Sequence, residues 1–447
     1  MTDFRVALIG AGPAGYYAAE HLLASAAPLV SVDLFDRLPT PWGLVRAGVA
    51  PDHPKIKSVS AQFAEIAAHP RYRFFGNVEL GRDITREDLL SRYDAVLYSV
   101  GARSERRLGI PGEDLPGSLA ASDFVGWYNG HPDYTALAPD LSGTRAVVVG
   151  NGNVALDVAR MLLLPQDALS RTDTADHAIF AFAASHIQEV TLLGRRGPAQ
   201  AAFTTPELRE FGAIADLKIE ISEPELLALA PPADAPDATR IQRNLAVLNR
   251  YATATATGRR RLRFGFLRAP VEIRGARRVE EIVLGINRLE FEDGIYRAVD
   301  TGARETIPAD LVIRAVGYKG TALAGVPFDA RSGTIPNDRG IVTGGEREYV
   351  AGWIKRGPAG VIGTNRGDGM ETAELLLADL RGASSRAAAP DDVLAWLRGN
   401  CPGLVDNEGW SAIDRHETSL GADSGRPRVK LVTIGDLLDA AGMKVNG

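Results

Sequence analysis

The chain has 447 residues, 24% of them charged, and a formal net charge of −6. That length suits a soluble globular protein of two or three domains, and the acidic balance argues against general nucleic-acid binding, which favours a basic stripe. No apolar run approaches the roughly 20 residues needed to span a bilayer, and the single cysteine, Cys401, excludes an intrachain disulfide, a CxxC redox pair and a cysteine-ligated iron–sulfur cluster. The opening MTDFRVALIG has too short an apolar stretch for a secretory signal, so a cytoplasmic location is expected.

The first element is an apolar strand, RVALI, followed by GAGPAG with Gly10, Gly12 and Gly15. In such a loop the first glycine permits a tight turn, the second lets the backbone approach a pyrophosphate, and the third lets the next helix pack close to the strand. The helix N-terminus then offers unpaired N–H groups to phosphate. A second strand, VSVDLFD, ends at Asp36, at the spacing of about 20 residues where an acid holds a ribose diol. This first site reads as one for FAD or NAD.

YDAVLYSVGA (93–102) is an apolar strand ending in Val-Gly, and GTRAVVVG opens a second nucleotide loop with Gly150 and Gly152. Ala155 stands in the third glycine position, and the helix continues through VALDVARMLLL. The following strand, EVTLLGRRG, ends in Arg195 and Arg196 rather than in an acid. A guanidinium can pair in bidentate fashion with a 2′-phosphate that an acid would repel, so this second site is expected to take NADP(H). A nicotinamide pairs naturally with a flavin, which makes FAD the expected occupant of the first site.

ADLVIRAVGY (309–318) echoes the earlier Val-Gly strand. The two bracket the second loop, as expected if the chain leaves one domain, builds another and returns. The expected fold is α/β, with two Rossmann-like dinucleotide-binding domains and the NADP domain inserted into the FAD domain. The boundaries are 1–103 and 319–447 for the FAD domain, with a C-terminal helical region, and 104–318 for the NADP domain. Late in the chain, EYVAGWIKRGPAGVIGTNRGDGMETAELLLADL (348–380) reads as a strand, a glycine-rich bend and a helix starting near Asp368, whose dipole would favour negative charge on a bound flavin.

Several longer stretches carry a resemblance. They are PTPWGLVRAGVAPDHPKIK (39–57), FFGNVELG (74–81), GNGNVALDVAR (150–160), GRRGPAQAAFT (194–204), GWIKRGPAGVIGTN (352–365) and GRPRVKL (425–431). In these the chain resembles the ferredoxin–NADP reductases of the adrenodoxin-reductase type. The resemblance implies FAD contacts from Gly10, Ala11, Gly12, Pro13, Ala14 and Gly15, and from Asp36, Leu44, Val78, Trp353, Gly360, Val361 and Ile362. It implies NADP contacts from Arg106, Asn151, Gly152, Asn153, Val154, Arg195, Arg196, Glu207 and Gly360. Leu44, Val78, Arg106 and Glu207 rest on the resemblance alone. Pro206 in TTPELRE bears on where that helix starts, and so on the placing of Glu207 and Glu210.

The implied reaction is hydride transfer from NADPH to FAD, followed by single-electron transfer to a small acidic ferredoxin- or adrenodoxin-like iron–sulfur protein. His53, Asp157 and Glu210 are the candidate catalytic groups, as proton or hydrogen-bond relays, although hydride transfer itself needs no protein acid or base. Asp157 could instead orient the glycine loop, and His53 could hold two loops together. The net negative charge requires a local basic face for docking, and Arg250, Arg259, Arg260, Arg261, Arg263 and Arg268 offer one; the alternative is a charged strand edge that discourages aggregation. The resemblance further implies a monomer, and no metal, nucleic-acid or membrane partner is expected.

Competing readings differ in cysteine chemistry or in reaction. A flavin disulfide reductase needs a cysteine pair, and the electron-feeding subunit of glutamate synthase expects cysteine-bound clusters. A non-catalytic nucleotide-binding protein would hold flavin that NADPH cannot reduce. A flavin oxidase would form peroxide rapidly without a partner.

Overall fold

A computed structural model gives the structure of residues 3–228, 237–254, 257–292 and 295–443. The chain divides into two compact units, Met1–Ser104 with Asn129–Thr135 and Gly317–Gly447, and Glu105–Tyr128 with Ala136–Val316. Asn129–Thr135 belongs to the first unit although the chain on both sides of it belongs to the second.

The first unit is built on a seven-stranded sheet. Five of its strands are parallel neighbours, in the order Glu348–Val350, Ala95–Tyr98, Asp3–Ile9, Leu29–Phe35 and Tyr72–Phe75. These strands are nearly continuous apolar runs, as parallel strands covered on both faces require. Asp3–Ile9 is central, and the chain leaves it first toward Leu29–Phe35 and only later reaches Ala95–Tyr98 on its other side. Its carboxyl end is therefore a topological switch point, where open α/β sheets bind ligands.

The second unit repeats the plan. Its six strands are all parallel, in the order Ser118–Ala120, Leu311–Arg314, Arg145–Val149, Glu189–Gly194, Arg260–Phe266 and Leu217–Ile221. Arg145–Val149 occupies the switch point. An antiparallel three-stranded sheet, Arg268–Arg274, Glu281–Glu292 and Ile295–Pro308, completes the unit. Both doubly wound sheets agree with the expected α/β class of two Rossmann-like domains. The echoing Val-Gly segments lie in different sheets, Ala95–Tyr98 in the first and Leu311–Arg314 in the second.

One expected boundary moves. The helix placed near Asp368 begins a turn earlier and spans Thr364–Leu380. One of its glycines is a packing residue: a Cβ on Gly369 would lie 3.1 Å from both the Ala14 carbonyl oxygen and the Ala18 nitrogen of the neighbouring helix, Pro13–Ala24.

Candidate functional site

The three glycines of the first loop do three different things. Gly10 has φ +108°, a conformation few side chains adopt, and a Cβ there would lie 2.7 Å from the Ser99 carbonyl oxygen. A Cβ on Gly15 would lie 2.3 Å from the Gly10 carbonyl oxygen, so the helix could not pack this closely with any other residue. Gly12 alone has nothing within 4 Å of its hypothetical Cβ. It is also the N-cap of Pro13–Ala24, with Pro13 in the first turn, where its missing N–H costs nothing. An open cradle with helix N–H groups at its base fits a pyrophosphate.

Neighbouring segments of the same unit close on this loop. The Trp42 N–H donates to the Ala11 carbonyl at 2.8 Å, and a Cβ on Gly43 would lie 2.9 Å from the Gly12 Cα. Leu44 starts the next short helix, Leu44–Ala47. Gly352, just before Trp353, comes equally close to the Ala14 methyl, 2.7 Å from its hypothetical Cβ. Trp353 packs against Tyr318, with ring centroids 5.5 Å apart, and its Nε1–H donates to the Ala359 carbonyl at 3.2 Å. That bond anchors the bend ahead of Gly360–Ile362. His53, only 8% exposed, lies 4.0 Å from the Asp52 carboxylate and caps the short helix Pro54–Lys57.

Asp36 has a structural role that the spacing does not announce. One carboxylate oxygen accepts the Ala11 N–H at 2.9 Å and the other accepts the Leu38 N–H at 3.0 Å. Burial raises its pKa, while these two backbone bonds oppose the rise. An ionised carboxylate has about four lone-pair positions, so two bonds leave room for a ribose diol. The Asp36 backbone carbonyl also accepts the N–H of buried Val78 at 2.9 Å. A cleft beside Asp36 is lined by Thr40, Arg46, Asn129 and His131 among others.

In the second unit Gly150 has φ +138°, and a Cβ there would lie 2.3 Å from the Ala315 carbonyl oxygen. Gly152, the N-cap of Asn153–Leu163, again has nothing within 4 Å. Ala155 in the third position is 1% exposed, so a methyl is accommodated there. The asparagines fasten the loop that follows the arginine pair. The Asn151 carbonyl accepts the N–H groups of Ala202 and Phe203 at 3.0 and 3.1 Å, and Asn153 Oδ1 accepts the Thr204 N–H at 2.8 Å. The Thr204 hydroxyl donates to Glu207. Pro206 falls in the first turn of the helix Thr205–Glu210, a position that tolerates proline, so the helix forms regardless.

Arg195 is exposed and Arg196 half-buried. Burial, and then the charge of Arg195, lowers the Arg196 pKa. Among the described residues neither guanidinium, nor that of Arg106, has a carboxylate partner. Backbone bonds hold the pair in place: Asn287 donates to the Arg195 carbonyl at 2.9 Å, and the Leu267 N–H to that of Arg196 at 3.2 Å. Two adjacent cations on a fixed backbone, beside an open helix N-terminus, suit the extra phosphate of NADP(H).

Relatives decide the family. A family model described as pyridine nucleotide-disulphide oxidoreductase matches residues 4–212. NADPH-ferredoxin reductase FprA of Mycobacterium tuberculosis is 50% identical over 451 residues, covering 98% of this chain and 99% of that protein. The chain belongs to the ferredoxin/adrenodoxin–NADP reductase family. Mitochondrial NADPH:adrenodoxin oxidoreductase of Salvelinus fontinalis is 42% identical, covering 98% of this chain and 91% of that protein. The solved structure of Mycobacterium tuberculosis FprA in complex with NADPH aligns with TM-score 0.95 at 50% identity, covering 98% of this chain and 99% of that one. As a reductase of this family the chain carries no disulfide chemistry of its own, since its one cysteine, Cys401, is buried.

Two groups of expected residues have ion-pair partners in the structure. Asp157 and Glu210 are both counter-ions of Arg160, whose guanidinium is 2.9 Å from the first and 3.2 Å from the second. The basic stretch is partly neutralised: Arg263 pairs with Glu220 at 3.2 Å, Arg268 pairs with Glu223 at 2.9 Å and Glu305 at 2.7 Å, and Arg260 donates to the Leu163 carbonyl. Arg250, Arg259 and Arg261 have no ion pair among the described residues. No helix among those residues is long and apolar enough to cross a membrane.

Proposed function

We propose that this chain is an FAD-dependent ferredoxin–NADP(+) reductase, taking hydride from NADPH and passing single electrons to a small acidic ferredoxin- or adrenodoxin-like iron–sulfur protein. The observation that carries this reading is the pair of open glycine cradles, one backed by Asp36 and the other by Arg195 and Arg196. When bound, the flavin supplies the step from two-electron to one-electron chemistry that a nicotinamide lacks.

The chain supplies binding and orientation. Gly12 and the N-terminus of Pro13–Ala24 take the FAD pyrophosphate, and Asp36 takes its ribose. Leu44, Val78, Trp353 and Gly360–Ile362 shape the rest of that site. Asn151–Val154 take the NADP pyrophosphate, Arg195 and Arg196 the 2′-phosphate, with Arg106 and Glu207 at the same site. The domains are assigned as 1–103 with 319–447 for FAD and 104–318 for NADP, apart from Asn129–Thr135, which belongs to the first unit.

Asp157 and Glu210 act through Arg160 as positioning residues for the NADP helix, and His53 does so for the 50–57 turn. Arg250, Arg259 and Arg261 provide the remaining basic docking surface, which speeds encounter with an acidic partner. A monomer in the cytoplasm is the proposed form, in keeping with a single cysteine. The reading is tested by NADPH-driven reduction of an added ferredoxin. Flavin bleached by NADPH without any reduction of iron–sulfur proteins would contradict it.

A further inference from the structure

Seven residues, Asn129–Thr135, leave the run of the second unit and belong to the first. Nothing in their local sequence requires this, so tertiary ties must hold them. At one end Asn129 is 1% exposed, and its Oδ1 accepts from Lys57 at 3.3 Å and from buried Lys430 at 3.2 Å. Lys430 also donates to the Arg46 carbonyl at 3.1 Å. At the other end Arg37 grips the Asp133 carboxylate with both terminal nitrogens, the Nη1 bond being 3.1 Å. Between these ties Gly130, His131 and Pro132 form part of the wall of the Asp36 cleft. Arg37 is the residue immediately after Asp36, so the tie closes directly beside the acid that takes the ribose.

We propose that Asn129–Thr135 is a strap that retains FAD, with the Arg37–Asp133 pair as its latch and Arg37 as a positioning residue for the cofactor. The inference rests on the reading of the Asp36 cleft as part of the FAD site. A wall supplied by a separate excursion of chain must move for the adenosine end to leave. Asn129 is the fixed end, because both it and its partner Lys430 are buried. Asp133 is the releasable end, because its side chain is 45% exposed against 16% for Arg37. A bidentate, partly exposed pair is weak enough to open and strong enough to slow release.

The test follows FAD release from purified holoenzyme on dilution, by the rise in free-flavin fluorescence. Variants are Arg37→Gln, Asp133→Asn, the double variant and Asp133→Glu. Each neutral variant should release FAD about fivefold faster at low salt, as expected for an ion pair of this exposure. The double variant should be no faster than the faster single one, and Asp133→Glu should stay close to wild type. Wild-type release should quicken as salt rises toward roughly 1 M, where screening shortens to roughly 3 Å, while the neutral variants stay flat.

Single-variant rates within about twofold of wild type, multiplicative effects in the double variant, or a salt-independent wild type would each overturn the latch. The wild-type salt series decides even where a variant does not fold. A protein that binds no FAD after reconstitution would instead refute the underlying site, and the strap with it.

Discussion

The guanidinium of Arg160 is buried, 1% exposed, and sits 2.9 Å from the Asp157 carboxylate one turn earlier in the same helix. Glu210, 3.2 Å away on another helix, completes its charge balance. Replacing Arg160 with Met should cost about 3 kcal/mol of stability in urea unfolding, because two carboxylates lose their common cation. Glu210→Gln should slow flavin reduction in single-turnover experiments by less than about tenfold, the range of a positioning effect rather than of a lost general acid or base. A drop of about a thousandfold at unchanged stability would give Glu210 a direct part in proton transfer.

The open cradles predict a separation of functions. Gly12→Val adds its bulk to empty space, so the fold should survive while FAD binding is lost. Gly152→Val should keep FAD and lose NADPH affinity. Gly10→Ala, in contrast, should hinder folding, since its Cβ would meet the Ser99 backbone. Flavin content, binding of 2′,5′-ADP and circular dichroism read the three effects apart. Full FAD occupancy in Gly12→Val would be inconsistent with the pyrophosphate assignment.

Coenzyme preference should reside in two charges. Changing Arg195 and Arg196 together to Ser should weaken NADPH binding by about a hundredfold, as two charge-assisted contacts of roughly 1.5 kcal/mol each are removed. NADH binding should change little. Equal losses for both nucleotides would show that the pair serves the loop rather than the 2′-phosphate.

His131 gives the strap a pH response. Burial chiefly, with Arg37, Arg103 and Arg46 nearby, lowers its pKa to about 4, against an opposing pull from Asp133. Its Nδ1 accepts the Asp133 N–H at 3.2 Å, so the neutral ring is the one that fits. A folded pKa below the ordinary 6.5 means that the unfolded or opened segment binds the extra proton. The stabilising contribution is therefore present above about 6.5 and is lost as pH falls toward about 4. FAD release should quicken by roughly tenfold between about pH 7 and pH 5, and His131→Gln should flatten the profile. An unchanged profile in that variant would assign the response to another group.

Much of this was legible because it is local. Glycine spacing, the acid at Asp36 and the arginines at the end of a strand follow from a few consecutive residues, and the two parallel sheets follow from apolar strands separated by helices. What the sequence hid depends on register or on distant chain. Arg263 faces Glu220 only because the strands Arg260–Phe266 and Leu217–Ile221 pair with those residues opposite one another, and that pairing removes one charge from the expected docking face. Asp36 reaches back to the Ala11 N–H, and Arg37 reaches forward to Asp133, across separations that no periodicity encodes. The early start of Thr364–Leu380 was hidden because Gly367, a poor helix former, lies within its first turns, while Gly369 makes room for the Pro13–Ala24 backbone.

The most direct test of the account is an anaerobic titration of the bound flavin, followed by its absorbance, once with NADPH and once with NADH. Bleaching is expected at far lower NADPH than NADH, with the difference abolished in the Arg195→Ser/Arg196→Ser variant. Flavin that neither nucleotide reduces, or that both reduce at equal concentration, would contradict it.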